Sequence, residues 1–347
     1  MNIQNFFKNK KVIITGHTGF KGTWMSIMLY NLGARVYGIS KDRSSAISLA
    51  KNFSNIFERE FYADIVYDDL ESIFLDVKPE FIFHLAAQSL VIKGQKNPLE
   101  TLLVNSIGTY KVLETASKIS GIKTIVCATT DKVYKDGSKN NSETSQLGGK
   151  DFYSTSKVNA EQIIKTFINT NLKKELNVSI VRSGNVIGGG ERAENRLFTD
   201  LIYSAINTKK IYIRYPNALR PWQYVLDSVY GYLLIAKYSS VNKKSEIFNL
   251  NSNQLSEYKV IDIVNKFSEL WNEKIEIELI DEKIRFDETV ELRINSKKAF
   301  KELNWNPSIN LNELISKIVN WEKNYLLNQS IDFSLLEVKS FLKNIDY

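Results

Sequence analysis

The chain has 347 residues, 43% hydrophobic and 24% charged, enough for one large core or two joined ones and too apolar for a disordered polypeptide. Its formal charge of +7 comes from bases interleaved with acids, as in Lys297-Lys298-Ala299-Phe300-Lys301-Glu302; this pattern fits a solvated surface rather than a nucleic-acid site, and also suits a phosphate-bearing substrate. A single cysteine (Cys127), two histidines (His17 and His84) without metal-ligand spacing, and no run of about twenty apolar residues exclude an internal disulfide, argue against zinc chemistry and a membrane span, and make a cytoplasmic location the expectation.

Strand-length apolar runs alternate with amphipathic stretches through the first half. Val12 to Thr15, Arg35 to Ile39, Phe81 to Ala86, Thr124 to Ala128 and Val178 to Val181 are rich in β-branched residues, as in strands buried on both faces. Helical patterns lie between or after them, including Gly22 to Leu32, Pro98 to Ser117 and Asp151 to Asn169. This alternation predicts an α/β fold, a doubly wound parallel sheet of Rossmann-like type. Past about residue 183 the regularity weakens. Gly188-Gly189-Gly190 reads as a flexible turn, Arg220-Pro221-Trp222 breaks the next segment, and Ser245 to Leu250 reads as one more strand. The expected organisation is a dinucleotide-binding domain over 1–182 and a smaller substrate-binding region over 183–347, with the late strand able to rejoin the sheet.

The strand ending at Thr15 runs into Gly16-His17-Thr18-Gly19-Phe20-Lys21-Gly22. Gly16 serves the turn, Gly19 lets the backbone approach a pyrophosphate, and Gly22 permits close helix packing while the helix N-terminus faces negative charge. The spacing is G-x-x-G-x-x-G rather than the commoner G-x-G-x-x-G. In Lys41-Asp42-Arg43 the acid that could hold an adenosine ribose is flanked by bases, which leaves NAD and NADP both open. Asp64 and Ile65, after another strand-like segment, are placed to flank the adenine.

Tyr-x-x-x-Lys occurs twice. Tyr37 to Lys41 falls at the end of a predicted strand, where four-residue spacing does not share a face, and reads as chance. Tyr153 and Lys157 open a predicted helix, where i and i+4 lie one above the other. The Lys157 ammonium and a positive nicotinamide ring would lower the pKa of Tyr153, preparing it to take a proton from a sugar hydroxyl. Thr130, Asp131 and Lys132 precede this pair, so that a hydroxyl, a carboxylate, an amine and a phenol could meet one sugar.

Gly16 to Gly22, His84-Leu85-Ala86-Ala87-Gln88, Asn105, and Tyr153 with Lys157 resemble the extended short-chain dehydrogenases/reductases that act on nucleotide sugars, over nearly the whole chain. Within that superfamily Gly16 to Trp24, Thr130-Asp131-Lys132, Gly184 to Gly190 and Arg220-Pro221-Trp222-Gln223 together resemble the 4,6-dehydratases of the CDP-glucose type. The resemblance implies bound NAD, held by Gly16, Thr18, Gly19, Phe20, Gly22, Asp64, Ile65, Ala86, Ala87, Asn105, Tyr153 and Lys157. It further implies that Tyr153, supported by Lys157 and Thr130, deprotonates the C4 hydroxyl of the sugar as hydride passes to NAD. Asp131 then protonates the departing C6 hydroxyl, Lys132 takes the C5 proton, and hydride returns to C6. The related dTDP-glucose enzymes carry Asp-Glu in place of Asp131-Lys132.

On the substrate side, Asn185 matches a family position near the pyrophosphate and Arg220 one that contacts it. Gln88, Arg196, Arg214 and Arg293 are further candidates, while Trp24 and Trp222 suit packing as well as binding. The implied substrate is a nucleotide-diphosphate hexose, CDP-glucose first, feeding surface polysaccharide synthesis, and the implied assembly is a homo-dimer or homo-tetramer paired through helices near the catalytic one. Two segments depart from the family pattern. Ile92-Lys93-Gly94-Gln95 stands where an Arg-Arg-Ser-Tyr-like run is usual, and Glu191-Arg192 replaces an Asp-Trp-like pair, which leaves the exact base and hexose open. A nucleotide-sugar epimerase or reductase would use Tyr153 and Lys157 with no need of Asp131-Lys132. Asp131-Lys132 therefore favours dehydration, and a non-catalytic NAD-binding regulator would be free to lose Tyr153, Lys157 or Thr130, all of which are present.

Overall fold

The computed structural model describes residues 2–42, 53–136, 139–170, 176–207, 210–213, 215–252, 254–271, 275–279, 291–307 and 309–345. A seven-stranded sheet forms its centre. The strands are β1 (Lys11–Thr15), β2 (Arg35–Ser40), β3 (Arg59–Tyr62), β4 (Phe81–His84), β5 (Thr124–Ala128), β6 (Asn177–Ser183) and a last strand, Ile247–Leu250. Their spatial order, with the last strand first, is Ile247–Leu250, β6, β5, β4, β1, β2, β3, and every pairing is parallel. The order reverses between β1 and β4, the place where open α/β sheets leave a crevice at their carboxyl ends.

The β-branched runs form strands here because both faces of the sheet are covered. Val12, Ile14, Phe81, Phe83, Val126 and Val181 point into one core, whereas Ile13, Ile82, Ile125, Val178 and Ile180 point into the other. Each such side chain, wholly removed from water, contributes roughly 2 kcal/mol relative to an exposed one. Helix α1 (Phe20–Asn31) is buried from Gly22 through Leu29. It lies against the sheet and under two later helices, Val225–Asn242 and Ser330–Ile345, so its apolar residues do not form a single stripe.

Differences from the sequence reading have local causes. Strand β4 ends at His84 rather than Ala86, because Leu85 onward turns beneath Gly16. The stretch from Pro98 is not one regular helix. A π-turn at Leu103–Ile107 separates Pro98–Leu102 from Gly108–Lys118 and carries Asn105 inward. The triple glycine is a packed element: Gly188, Gly189 and Gly190 are all buried, and a Cβ on Gly189 would collide with the ring of Trp321. Ser245 and Glu246 precede the last strand, whose Ile247 pairs with Ile180 of β6. No helix among the described residues is long and apolar enough to cross a membrane.

The catalytic-side helix α2 (Phe152–Thr170) is tied to β6 by a fully buried ion pair. Arg182 donates Nε to Glu161 Oε1 at 2.8 Å and Nη2 to Glu161 Oε2 at 2.5 Å, and Thr129 Oγ1 donates to the same carboxylate at 2.8 Å. Arg182 also reaches Tyr134, whose hydroxyl donates to Asn249 Oδ1. Removing one partner of such a pair strands the other charge without water. Glu161→Gln is therefore expected to lower the unfolding free energy by about 3 kcal/mol, read in a thermal or denaturant melt; a loss below about 1 kcal/mol would show that the pair is dispensable.

Candidate active site

The carboxyl ends of β1, β2, β4, β5 and β6 open onto one cleft of about 1310 Å3. Gly16, Thr18, Gly19, Phe20, Gly22, Asp64, Ile65, Ala86 and Ala87 line one part of it. Gly16 has φ +75°, and a Cβ there would sit 2.7 Å from Ala86 N; a Cβ on Gly22 would collide with Gly16 O. Only glycine fits both positions, and the result is a bare turn running into the N-terminus of α1, a cradle suited to a pyrophosphate. At the rim Lys41 and Asp64 form an ion pair at 3.1 Å.

Deeper in the cleft, β5 delivers Thr129 and Thr130 to a single turn at Asp131–Val133. Thr130 Oγ1 donates to Asp131 Oδ1 at 2.9 Å and accepts the backbone N–H of Lys132 at 3.3 Å, close enough to Tyr153 to favour its ionised form. Asp131 is 3% exposed, and its Oδ2 has no hydrogen-bond partner. Burial pushes the Asp131 carboxyl up, against the opposing pull of Lys132, Thr130 and Arg220. The shift favours the neutral carboxyl, and Asp131 lines the cleft. Tyr153, in the first turn of α2, is raised to about 12 by burial; the guanidinium of Arg196 and then the Thr130 hydroxyl work in the other direction. Lys157 Nζ donates to Ala128 O at 3.0 Å and is lowered to about 8 by burial and by the nearby Lys21 ammonium.

The opposite wall comes from a two-stranded parallel ribbon, Asn185–Ile187 with Trp222–Tyr224. Asn185 N donates to Pro221 O at 2.9 Å, which holds Asn185 near the Arg220-Pro221-Trp222 break. Arg220 is 5% exposed, donates to Leu219 O at 3.0 Å and lines the cleft close enough to act on Asp131. Arg196 lines it too, with Nη2 donating to Ser89 O at 3.3 Å and Nε buried without a partner.

Residues 13–318 match the family model of GDP-mannose 4,6 dehydratase. The chain belongs to that family. It is 34% identical over 340 residues to the CDP-glucose 4,6-dehydratase of Salmonella typhimurium, covering 94% of each chain. It is 25% identical to the human dTDP-D-glucose 4,6-dehydratase, covering 90% of this chain and 89% of that one. Among solved structures, an epimerase from Methanothermobacter thermautotrophicus superposes with a TM-score of 0.82 at 25% identity, covering 94% of this chain and 96% of the other.

Within this dehydratase-family fold, most of the residues singled out in the sequence converge. Thr130, Asp131, Lys132, Tyr153, Lys157, Gln88, Asn185, Arg196 and Arg220 all line the same cleft as the glycine turn. Several expectations are corrected. The Lys157 amine is engaged by Ala128 O, and among the protein's own groups burial outweighs the cations around the Tyr153 phenol. Asn105 stands behind the cleft wall at 1% exposure, accepting from Gln88 N at 2.8 Å and donating to Gln88 O and to Ser156 Oγ. It thereby joins the Gln88 loop to α2. The Gln88 side chain is likewise occupied by Leu90 and Thr101. Arg293 does not reach the cleft, because Glu291 and Glu257 hold it in ion pairs elsewhere. Arg214 lies outside the described residues. Trp24 is packing, with Nε1 donating to Gly189 O at 3.0 Å, whereas Trp222 lines the cleft.

The two departures from the family pattern separate. Ile92, Lys93 and Gln95 line the cleft, and Gly94 lies so close to the first turn of α2 that a Cβ on it would sit 3.3 Å from Tyr153 Cβ. Glu191 lines the cleft, but Arg192 is not among the lining residues. Lys21 was missed as a site residue. It lines the cleft, approaches Tyr232 OH at 3.3 Å and acts on Lys157. A charged side chain inside a phosphate-binding glycine turn was the signal available in the sequence.

Proposed function

We propose that the protein converts CDP-glucose to CDP-4-keto-6-deoxyglucose with NAD in the glycine cradle. One observation carries this reading: a buried acid, Asp131, held by Thr130 at 2.9 Å, lines the same cleft as the phenol of Tyr153. Proton transfer at the C4 hydroxyl, with hydride leaving and returning at C4, would suffice for an epimerase. A second group biased toward its protonated form is what removal of the C6 hydroxyl requires. The likeness to the Salmonella CDP-glucose enzyme across 94% of both chains supports the choice of base.

Gly16, Thr18, Gly19, Phe20 and Gly22 would hold the pyrophosphate of NAD, with Asp64 and Ile65 at its adenine, Ala86 and Ala87 along the turn, and Tyr153 and Lys157 at the nicotinamide end. NAD, when bound, supplies the acceptor for the C4 hydride and its later return to C6. Tyr153 takes the proton of the C4 hydroxyl. The resulting ketone acidifies the C5 proton, which Lys132 removes, while Asp131 protonates the C6 oxygen so that it leaves as water. A proton given back to C5 completes the 4-keto-6-deoxy product. Over the cycle Tyr153 gains one proton and Asp131 loses one, so both groups, which line one cleft, must be reset before the next turnover.

Asn185, Arg196 and Arg220 would engage the substrate diphosphate, where guanidinium groups match phosphate oxygens. We further propose a cytoplasmic homo-dimer or homo-tetramer, supported by exposed Leu99, Ile107, Tyr110 and Phe152 on the helices around α2 and checked by sedimentation. The substrate reading is tested with purified protein and a panel of CDP-, dTDP-, UDP- and GDP-hexoses, followed by mass spectrometry. Loss of one water from CDP-glucose in preference to the others is expected. Inversion at C4 with no loss of water would replace the reading with an epimerase.

A further inference from the structure

The connection leaving the Asn185–Ile187 strand is a short chain of small and charged residues, from Gly188 to Arg196. Glu191, Ala193, Asn195 and Arg196 face the cleft. Arg192 turns the other way, to a helix more than a hundred residues later, Leu311–Leu326. There it makes a two-pronged contact with Glu322, Nη1 to Oε1 at 2.9 Å and Nη2 to Oε2 at 2.5 Å. Glu322 Oε1 also accepts the backbone N–H of Gly190 at 2.9 Å, and the Glu322 side chain is fully buried. The guanidinium lies over the rings of Tyr325 at 4.9 Å and Trp321 at 5.8 Å. Trp321 in turn occupies the space that a side chain on Gly189 would need, and donates to Ser334 of the last helix. From the opposite side, Gly189 O accepts the indole N–H of Trp24, a residue of the dinucleotide helix α1.

We infer that Arg192 and Glu322 are positioning residues that set the 188–196 connection, and with it Arg196, against the sugar-nucleotide part of the cleft. The identity of the ligand rests on the reading above. A forked guanidinium–carboxylate contact fixes orientation as well as distance, so the connection cannot rotate without breaking both prongs. It also cannot slide, because the Gly190 amide uses the same carboxylate and Trp321 blocks Gly189. Moving Glu322 away would strand a buried charge. The Leu311–Leu326 helix thereby governs substrate binding although none of its described residues lines the cleft. The departure at Arg192 is then no change of substrate contact: it is one half of a clamp.

The test uses the full chain with Arg192→Met, Glu322→Gln and the double variant. Arg192→Met leaves the fully buried Glu322 carboxylate without its partner, so the double variant, which removes both charges, keeps the exchange and affinity tests open where that single variant fails to fold. In the unliganded protein, amides of 188–196 are expected to exchange with deuterated water at least about tenfold faster in Arg192→Met. By calorimetry, CDP affinity should fall about tenfold, and the KM for CDP-glucose should rise in step, while NAD affinity stays within about twofold. The double variant should be no weaker than the weaker single one, because one shared contact is lost. Unchanged exchange in Arg192→Met would overturn the clamp. So would faster exchange with unaltered CDP affinity, or equal losses for CDP and NAD, the mark of a purely structural role. Exchange requires no nucleotide. A wild-type protein that prefers another nucleoside diphosphate would overturn only the substrate reading, and that nucleotide would then serve as the affinity probe.

Discussion

Replacing Tyr153 with Phe is expected to lower turnover of CDP-glucose by about a thousandfold or more, while CDP binding stays within about twofold. The change removes one oxygen and keeps the ring. That ring lies 9% exposed beside Gly94, where the close approach leaves no room for a bulkier neighbour, so the first turn of α2 should hold its place. The lost group is the hydroxyl that Arg196 and then Thr130 favour in its ionised form. From the protein's own groups the phenol sits at about 12, above its ordinary value. The active base is the ionised form, whose share grows as pH rises toward that value; oxidation at C4 should therefore quicken from neutral to alkaline pH. The Phe variant should lack this dependence. Activity within about tenfold of wild type would remove Tyr153 from the proton transfer.

Asp131→Asn should separate the two halves of the reaction. The amide has the shape of the carboxyl and still offers an oxygen to the Thr130 hydroxyl, so oxidation at C4 should persist. What it lacks is a transferable proton, and loss of water should slow by about a hundredfold to a thousandfold. Rapid-quench analysis should then show oxidised sugar accumulating ahead of the dehydrated product. The pH dependence has the opposite sign to that of Tyr153. Burial raises the Asp131 carboxyl, so its protonated form persists above the usual carboxylate range and is lost as pH rises through that raised value. Wild-type elimination should fall along that limb, and the Asn variant should not show it. A variant indistinguishable from wild type would mean that another group protonates the C6 oxygen.

The parts legible in the sequence are those governed by local pattern. Val12 to Thr15 and Thr124 to Ala128 announce strands because every side chain is apolar or small, the mark of a sheet covered on both faces. Gly16 and Gly22 announce the turn because their spacing matches what backbone crowding demands. Tyr153 and Lys157 share a helix face by simple periodicity. Burial and long-range partners are another matter. The upward shift of Tyr153 arises from the depth at which α2 packs, which no window of sequence displays. Arg196 and Arg293 look alike as letters, and only the fold sends one into the cleft and the other to Glu291. The triple glycine suggested looseness, although Trp321, 132 positions after Gly189, fills its surroundings. Glu322 reads as an ordinary helical acid until Arg192 is brought to it.

The central claim is an internal redox cycle in which the hydrogen taken from C4 returns at C6 as water departs. CDP-glucose carrying deuterium at C4 tests it most directly, with the label located in the product by NMR. The proposed chemistry predicts a 4-keto-6-deoxy sugar, one water lighter, with deuterium at C6. Deuterium retained at C4 of an inverted sugar, or a dehydrated product in which the hydrogen added at C6 comes from solvent, would contradict it.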